Sequence, residues 1–204
     1  MCIRDSSKGS IMNISRLLSV APMMERTDRH CRYFFRLLSQ QTLLYSEMIN
    51  ANAITKGNKT RLLNFSEIEH PLALQIGGSD PKLLAEATKI GVDWGYDEIN
   101  LNVGCPSSRV SSGDFGAVLM KRKDHVAKCV DAMAQFSSNV PISVKCRIAV
   151  DDQDPEKILP SFIKTVSNSG VSIFIIHARK AILSGLSPKD NRKITVLQRK
   201  TRSI

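Results

Sequence analysis

Four apolar segments carry polar groups at matching positions near their ends. Gln75 lies in Leu74-Gln75-Ile76-Gly77-Gly78, Asn100 and Asn102 in Asn100-Leu101-Asn102-Val103-Gly104-Cys105-Pro106, Lys145 in Val144-Lys145-Cys146-Arg147, and His177 in Ile175-Ile176-His177-Ala178-Arg179. Taken singly, such a Gln or His is more often a satisfied structural hydrogen-bonder than a functional group. Four of them at equivalent ends of successive segments point to one shared polar site. Lys145 is the costliest, because an ammonium inside a strand loses several kcal/mol unless an anion or well-placed dipoles compensate. A neighbouring carboxylate, or a side chain reaching the rim, would satisfy it equally. Cys105 stands between Gly104 and Pro106, in a tight turn after a strand rather than on a helix face. A thiol of ordinary pKa, about 8.5, is protonated at neutral pH and can serve as a general acid or as a nucleophile. The spacing leaves both roles open. Residues 107–116 are small, polar and glycine-containing, in the manner of a mobile lid. There is no Ser/His/Asp order, no metal-spaced cluster and no glycine-lysine phosphate loop, which excludes the commonest hydrolase and nucleotide triphosphatase classes.

Six apolar segments position these residues: 15–21, 43–49, 71–76, 98–103, 141–147 and 172–177. Each is short and bounded by turn residues, and is predicted as a strand. Helices are predicted between them, most clearly at 81–91, where Pro81 follows the capping Asp80 and Gly91 terminates, and at 124–136. Strands alternating with helices give a parallel sheet. Strand starts recur about every 31 residues, so eight repeats would fill the roughly 250 residues of a (β/α)8 TIM barrel. The six repeats here predict that barrel truncated after about the sixth. The alternative is an open doubly wound sheet, whose G-x-G-x-x-G loop after the first strand is replaced by Ala21-Pro22-Met23-Met24.

The chain has 204 residues, 42% hydrophobic and 24% charged, which excludes disordered and fibrous classes. No apolar run is long enough for a membrane span and no secretory signal is present, so a cytoplasmic protein is expected. Five scattered cysteines without a C-x-x-C pair support neither a disulfide framework nor a zinc site. Net charge is +10, and from Arg179 to Ile204 eight Lys or Arg face the single Asp190. Such a tract suits a polyanion such as RNA, or a solvated tail.

The run Ile99-Asn100-Leu101-Asn102-Val103-Gly104-Cys105-Pro106, followed by Val110 and Gly116-Ala117, is similar to the signature of the tRNA-dihydrouridine synthases, flavin-dependent barrel enzymes that reduce uridine in tRNA. The resemblance covers roughly residues 13–193. The stretches Thr27-Asp28-Arg29-His30-Cys31-Arg32, Trp94-Gly95-Tyr96-Asp97-Glu98, and His177-Ala178-Arg179-Lys180 with Leu186-Ser187-Pro188-Lys189 resemble the bacterial A-type subfamily, which acts on uridines 20 and 20a of the D-loop. The resemblance implies FMN contacted by Pro22, Met23, Met24, Gln75, Lys145 and His177, with NADPH as reductant and Cys105 as proton donor. It implies tRNA contact through Asn102, Lys189 and Arg192, a monomer when full length, and neither metal nor membrane. Residues 1–12 are expected to be a non-native or disordered leader, 13–193 an incomplete FMN-binding barrel, and 194–204 a basic tail. Two repeats and a helical RNA-gripping domain fall beyond the match, so the chain resembles an N-terminal fragment expected to be impaired by itself. Two other functions remain open: an FMN barrel reducing a free pyrimidine, as dihydroorotate dehydrogenases do, and an inactive fragment that retains RNA affinity.

Overall fold

In the computed structural model the described residues are 14–184, 186–191 and 193–194. One sheet holds seven strands: β1 (Ser19–Val20), β2 (Leu43–Tyr45), β3 (Ile49–Asn50), β4 (Leu72–Gly77), β5 (Glu98–Val103), β6 (Ile142–Arg147) and β7 (Ile173–His177). All pairings are parallel, and β3 continues β2 along the same neighbour, β4. The helices are α1 (Arg29–Leu38), α2 (Ala51–Lys56), α3 (Lys59–Leu63), α4 (Pro81–Trp94), α5 (Ser108–Ser112), α6 (Lys123–Ala134), α7 (Pro155–Ser167) and α8 (Pro188–Asn191). Spatial order equals chain order, β1-β2-β4-β5-β6-β7. A doubly wound sheet reverses its strand order at a switch point, whereas a barrel wall does not. The chain therefore forms six consecutive positions of a (β/α)8 barrel, with β1 and β7 as open edges among the described residues.

Alternation along the strands divides the sheet into two chemically different faces. Leu72, Leu74, Ile76, Ile99, Leu101, Val103, Val144 and Cys146 pack with Leu84, Ala87, Val126, Val130, Phe162 and Val166 of the helices as the main core. On the opposite face the register sets Gln75 beside Asn100, Asn100 beside Ser143, Asn102 beside Lys145 and Arg147 beside His177. Strands β4 and β5 are buried at every position, so this polar face is covered as well.

Three expectations need correction. The second strand, predicted unbroken over 43–49, divides into β2 and β3. Tyr45 pairs with Ala73 but Ile49 with Ile76, so four residues run opposite three, and Ser46 Oγ takes the Gln75 N–H at 3.0 Å. This is a bulge beside the polar face. Helix α4 passes through Gly91 instead of ending there. A Cβ on Gly91 would lie 2.7 Å from Leu74 Cδ2 and 2.8 Å from Ile99 Cδ1, so its glycine lets the helix lie close on the sheet. Gly95, at φ +99°, is the cap. The first strand shrinks from 15–21 to Ser19–Val20, since an edge strand has a partner on one side only and Arg16 turns away to reach Glu98.

Helix α1 carries its charge inward. Arg32 and Arg36 are buried while Phe34, Leu37 and Leu38 are 58%, 63% and 68% exposed. Arg36 donates to the carbonyls of Ser39, Thr42, Glu69 and Pro71, and Arg32 Nε donates to Glu69 Oε2 at 2.6 Å. Backbone acceptors and one carboxylate thus replace the apolar seam that a barrel helix normally turns toward its sheet.

Candidate active site

Cys105 is half-buried in a turn held at several points. Asn102 Oδ1 accepts the N–H groups of Gly104 and Cys105, each at 3.0 Å. Arg147 Nε donates to the Gly104 carbonyl at 3.1 Å, and the Cys105 carbonyl accepts from Ala117 N at 2.9 Å. Ala117 directly follows the segment 107–116 predicted as a lid. Part of that segment is α5, and Val110, Phe115 and Gly116 are buried. A Cβ on Gly116 would stand 2.7 Å from the Cys105 carbonyl oxygen, so that part of the segment forms packed support for the thiol.

Around this turn lie Lys145, Arg147 and His177. Burial holds the Lys145 ammonium below its ordinary pKa, with neighbouring Arg147 adding to the shift. Burial is also the main cause lowering Arg147, followed in that direction by Arg179. His177 is pushed down to about 4 by burial and by Arg147, Lys145 and Arg179, which leaves a neutral imidazole at neutral pH. Among the described residues no carboxylate appears among the charges acting on these three groups, and Lys145 and the imidazole of His177 have no hydrogen-bond partner. Such a cluster is completed by an anionic or electron-rich ligand. Because its folded pKa lies below the unfolded value of about 6.5, His177 contributes stability that is complete above that value and is lost as pH falls toward 4. An NMR titration of the His177 ring is expected to show a midpoint near 4 that rises when an anion occupies the site. A midpoint near 6.5 would mean that neither burial nor the surrounding cations act on it.

The structure brings Gln75, Asn102, Cys105, Lys145 and His177 onto neighbouring strand ends, with Asn102 Nδ2 donating to Gln75 Oε1 at 2.8 Å. Pro22, Met23 and Met24 form a turn after β1, where Met23 O accepts from Arg26 N and Thr27 N, and Met23 N donates to Thr27 Oγ1 at 3.0 Å. Met23 and Met24 are exposed, and Met24 lines a cavity of about 430 Å³ with Arg29, Ser46, Glu47, Asn50 and Arg61, apart from the Lys145 cluster. Lys189 is exposed on α8, which Asn191 fastens to the Ile182 backbone. Arg192 and most of the expected basic tail lie outside the described residues, as do residues 1–13. Sequence reasoning quoted Arg147 within its strand but gave it no role. It also passed over Ser143 and named Glu98 only within a family-like stretch, with no role, though both sit on the same face. Among the described residues no group of three or more metal-ligating side chains occurs, and no helix is long and apolar enough to cross a membrane.

A family model described as Dihydrouridine synthase (Dus) matches residues 19–201. A Synechocystis sp. protein named tRNA-dihydrouridine(20/20a) synthase is 60% identical over 181 residues, covering 89% of this chain and 54% of its own. A protein of the same name from Xanthomonas campestris pv. campestris is 54% identical over 181 residues, again covering 89% and 54%, and one from Escherichia coli K12 is 59% identical over 180 residues, covering 88% and 52%. The chain thus spans about half the length of the curated relatives it matches. Among solved structures, one titled "Crystal structure of TcOYE with pHBA" is similar in fold, with a TM-score of 0.55 at 9% identity over 84% of this chain and 74% of that one.

Proposed function

Since this chain belongs to the dihydrouridine synthase family, we propose that its strand ends form the catalytic face of a flavin-dependent reductase converting uridine to 5,6-dihydrouridine in the tRNA D-loop, at uridines 20 and 20a. The observation that carries this reading is the carboxylate-free cluster of Lys145, Arg147 and His177 beside a rigidly held thiol. It fits FMN, whose ring gains negative charge on reduction. Gln75, Lys145 and His177 would hold the ring, and the turn at Pro22, Met23 and Met24 would approach it from β1. Bound there, FMN recharged by NADPH would supply the hydride chemistry needed at carbon 6 of uracil.

The chain's own residues supply the rest. Cys105 delivers a proton to carbon 5 from the face opposite the hydride. Lys145 places its ammonium where negative charge develops, and its burial strengthens that interaction. His177 stays neutral and so offers one donor and one acceptor to the ligand. Asn102 holds the Cys105 turn, and Asn102, Lys189 and Arg192 would meet the tRNA.

The test uses this chain alone and the same chain joined to the remaining length of the Synechocystis relative. Each is supplied with FMN, NADPH and an unmodified tRNA transcript, and dihydrouridine is mapped by position. Dihydrouridine at 20 and 20a is expected from the joined chain, and little or none from this chain alone. Reduction of a free pyrimidine with tRNA left unchanged would overturn the reading. Lys145→Met keeps most of the side-chain volume and removes the charge, so FMN affinity is expected to fall about tenfold or more. A flavin fluorescence titration measures it, and wild-type affinity with wild-type reduction by NADPH would make Lys145 structural.

A further inference from the structure

Glu98 opens β5 on the same face as Asn100 and Asn102 and is fully buried. Arg16 Nη1 stands 2.5 Å from its Oε2, and its Oε1 accepts from Tyr45 OH at 3.0 Å and from Ser143 Oγ. Burial and the nearby Glu98 charge raise the Tyr45 pKa, so the phenol remains a donor. A carboxylate paired with a guanidinium can only accept. The Ser143 hydrogen is therefore committed to Glu98, and Ser143 Oγ is left to accept from Asn100 Nδ2 at 2.7 Å. That turns Asn100 Oδ1 toward Gln75 Nε2, which donates at 2.7 Å. Gln75 Oε1 then accepts from Asn102 Nδ2, and Asn102 Oδ1 faces the N–H groups of Gly104 and Cys105.

We propose that Glu98 is a positioning residue: it fixes the donor-to-acceptor direction of this ladder, and through it the hold of Asn102 on the Cys105 turn. Reversing the ladder would set Asn102 Nδ2 against two backbone N–H groups and release the turn. The direction also leaves one hydrogen on Gln75 Nε2 and one on Asn102 Nδ2 without a partner among the described residues. Each is then available as a donor to a carbonyl oxygen of a bound ligand. The catalytic meaning rests on the proposed function, while the hydrogen-bond direction stands independently of it.

Ser143→Ala cuts the ladder and leaves the contacts of Glu98 with Arg16 and Tyr45 in place. Amide hydrogen exchange at Gly104 and Cys105, followed by NMR on this chain, is expected to accelerate on the order of tenfold, while Leu74, Leu101 and Val144 keep wild-type protection. Glu98→Gln is expected to accelerate the same two amides at least as much, because its amide presents a donor to Ser143 or to Arg16. Tyr45→Phe preserves the direction and should leave the turn unchanged. Wild-type exchange at the turn in Ser143→Ala would overturn the proposal, and so would equal acceleration across Leu74, Leu101 and Val144, which would make the ladder a general support of the sheet. Acceleration by Tyr45→Phe to the level of Ser143→Ala would overturn it too. If Glu98→Gln does not fold, Ser143→Ala decides. Absence of uridine reduction with the exchange pattern intact would count against the proposed function alone.

Discussion

In the chain joined to the remaining length of its relative, Cys105→Ala is expected to retain FMN binding and NADPH oxidation while dihydrouridine formation falls by about 10² to 10⁴-fold. The thiol is half-buried, and the hydrogen bonds that Asn102, Arg147 and Ala117 make to its turn all run to backbone atoms of Gly104 and Cys105. Removing one sulfur atom therefore leaves the turn and the cationic cluster in place. On the proposed function, only the proton transfer to uracil loses its donor. Serine at the same position keeps a proton but on a far weaker acid, so Cys105→Ser is expected to recover little. The measurement pairs flavin absorbance and NADPH consumption with dihydrouridine yield on unmodified tRNA. A yield near wild type in Cys105→Ala would remove the thiol from the mechanism.

The parts of this fold legible in the sequence are those where local pattern and tertiary environment agree. Strand β5 runs over Glu98–Val103 as predicted, and β6 and β7 each start one residue later than predicted, because their apolar runs are bounded by turn residues and each is paired with a parallel neighbour, β5 and β6 on both sides and β7 on one. The break after Tyr45 was not legible, since a serine hydroxyl standing in for a backbone acceptor has no sequence signature. At the site, Gln75, Asn102, Lys145 and His177 stood out as polar groups in apolar strands. Glu98 and Arg147 did not, because a charge at the first or last position of a strand usually marks its solvent-facing end. Here the neighbouring strands give both charges partners: Ser143 and Tyr45 enclose Glu98, and Arg147 bonds the Gly104 carbonyl. Only the register brings those partners together, and register is what a single sequence shows least. The stretch Thr27–Arg32 was informative through family resemblance alone, and its physical content emerges from the structure. Thr27 closes the Met23 turn, Asp28 caps α1 by accepting the Cys31 N–H at 2.9 Å, and Arg32 enters a buried ion pair.

That ion pair governs the second large effect. Arg32 Nε donates to Glu69 Oε2 at 2.6 Å and Arg32 Nη1 to the Thr27 carbonyl at 2.9 Å, while Glu69 Oε1 accepts the Ser66 N–H at 2.8 Å. The two side chains are 7% and 2% exposed. Breaking a buried pair from one side leaves the other charge uncompensated, at a cost of about 3 to 5 kcal/mol. Arg32→Met is accordingly expected to lower the melting temperature by about 6 to 20 °C in a chain of this size. Lys89→Met removes a cation of similar reach from the Lys89–Asp93 pair on α4, whose side chains are 58% and 62% exposed, and should cost under about 1 kcal/mol. The contrast isolates burial as the cause, since both pairs are equally short, at 2.6 Å. Arg32→Met also deprives Thr27 of its carbonyl donor, and Thr27 anchors the turn at Pro22, Met23 and Met24. Weaker FMN retention is therefore expected to accompany the loss of stability, at temperatures where the fold is still intact. Thermal unfolding of the two variants, with flavin occupancy measured below the transition, decides the matter. Equal small losses in both would show that Glu69 finds water or another donor, and normal flavin retention in a destabilised Arg32→Met would disconnect the ion pair from the turn.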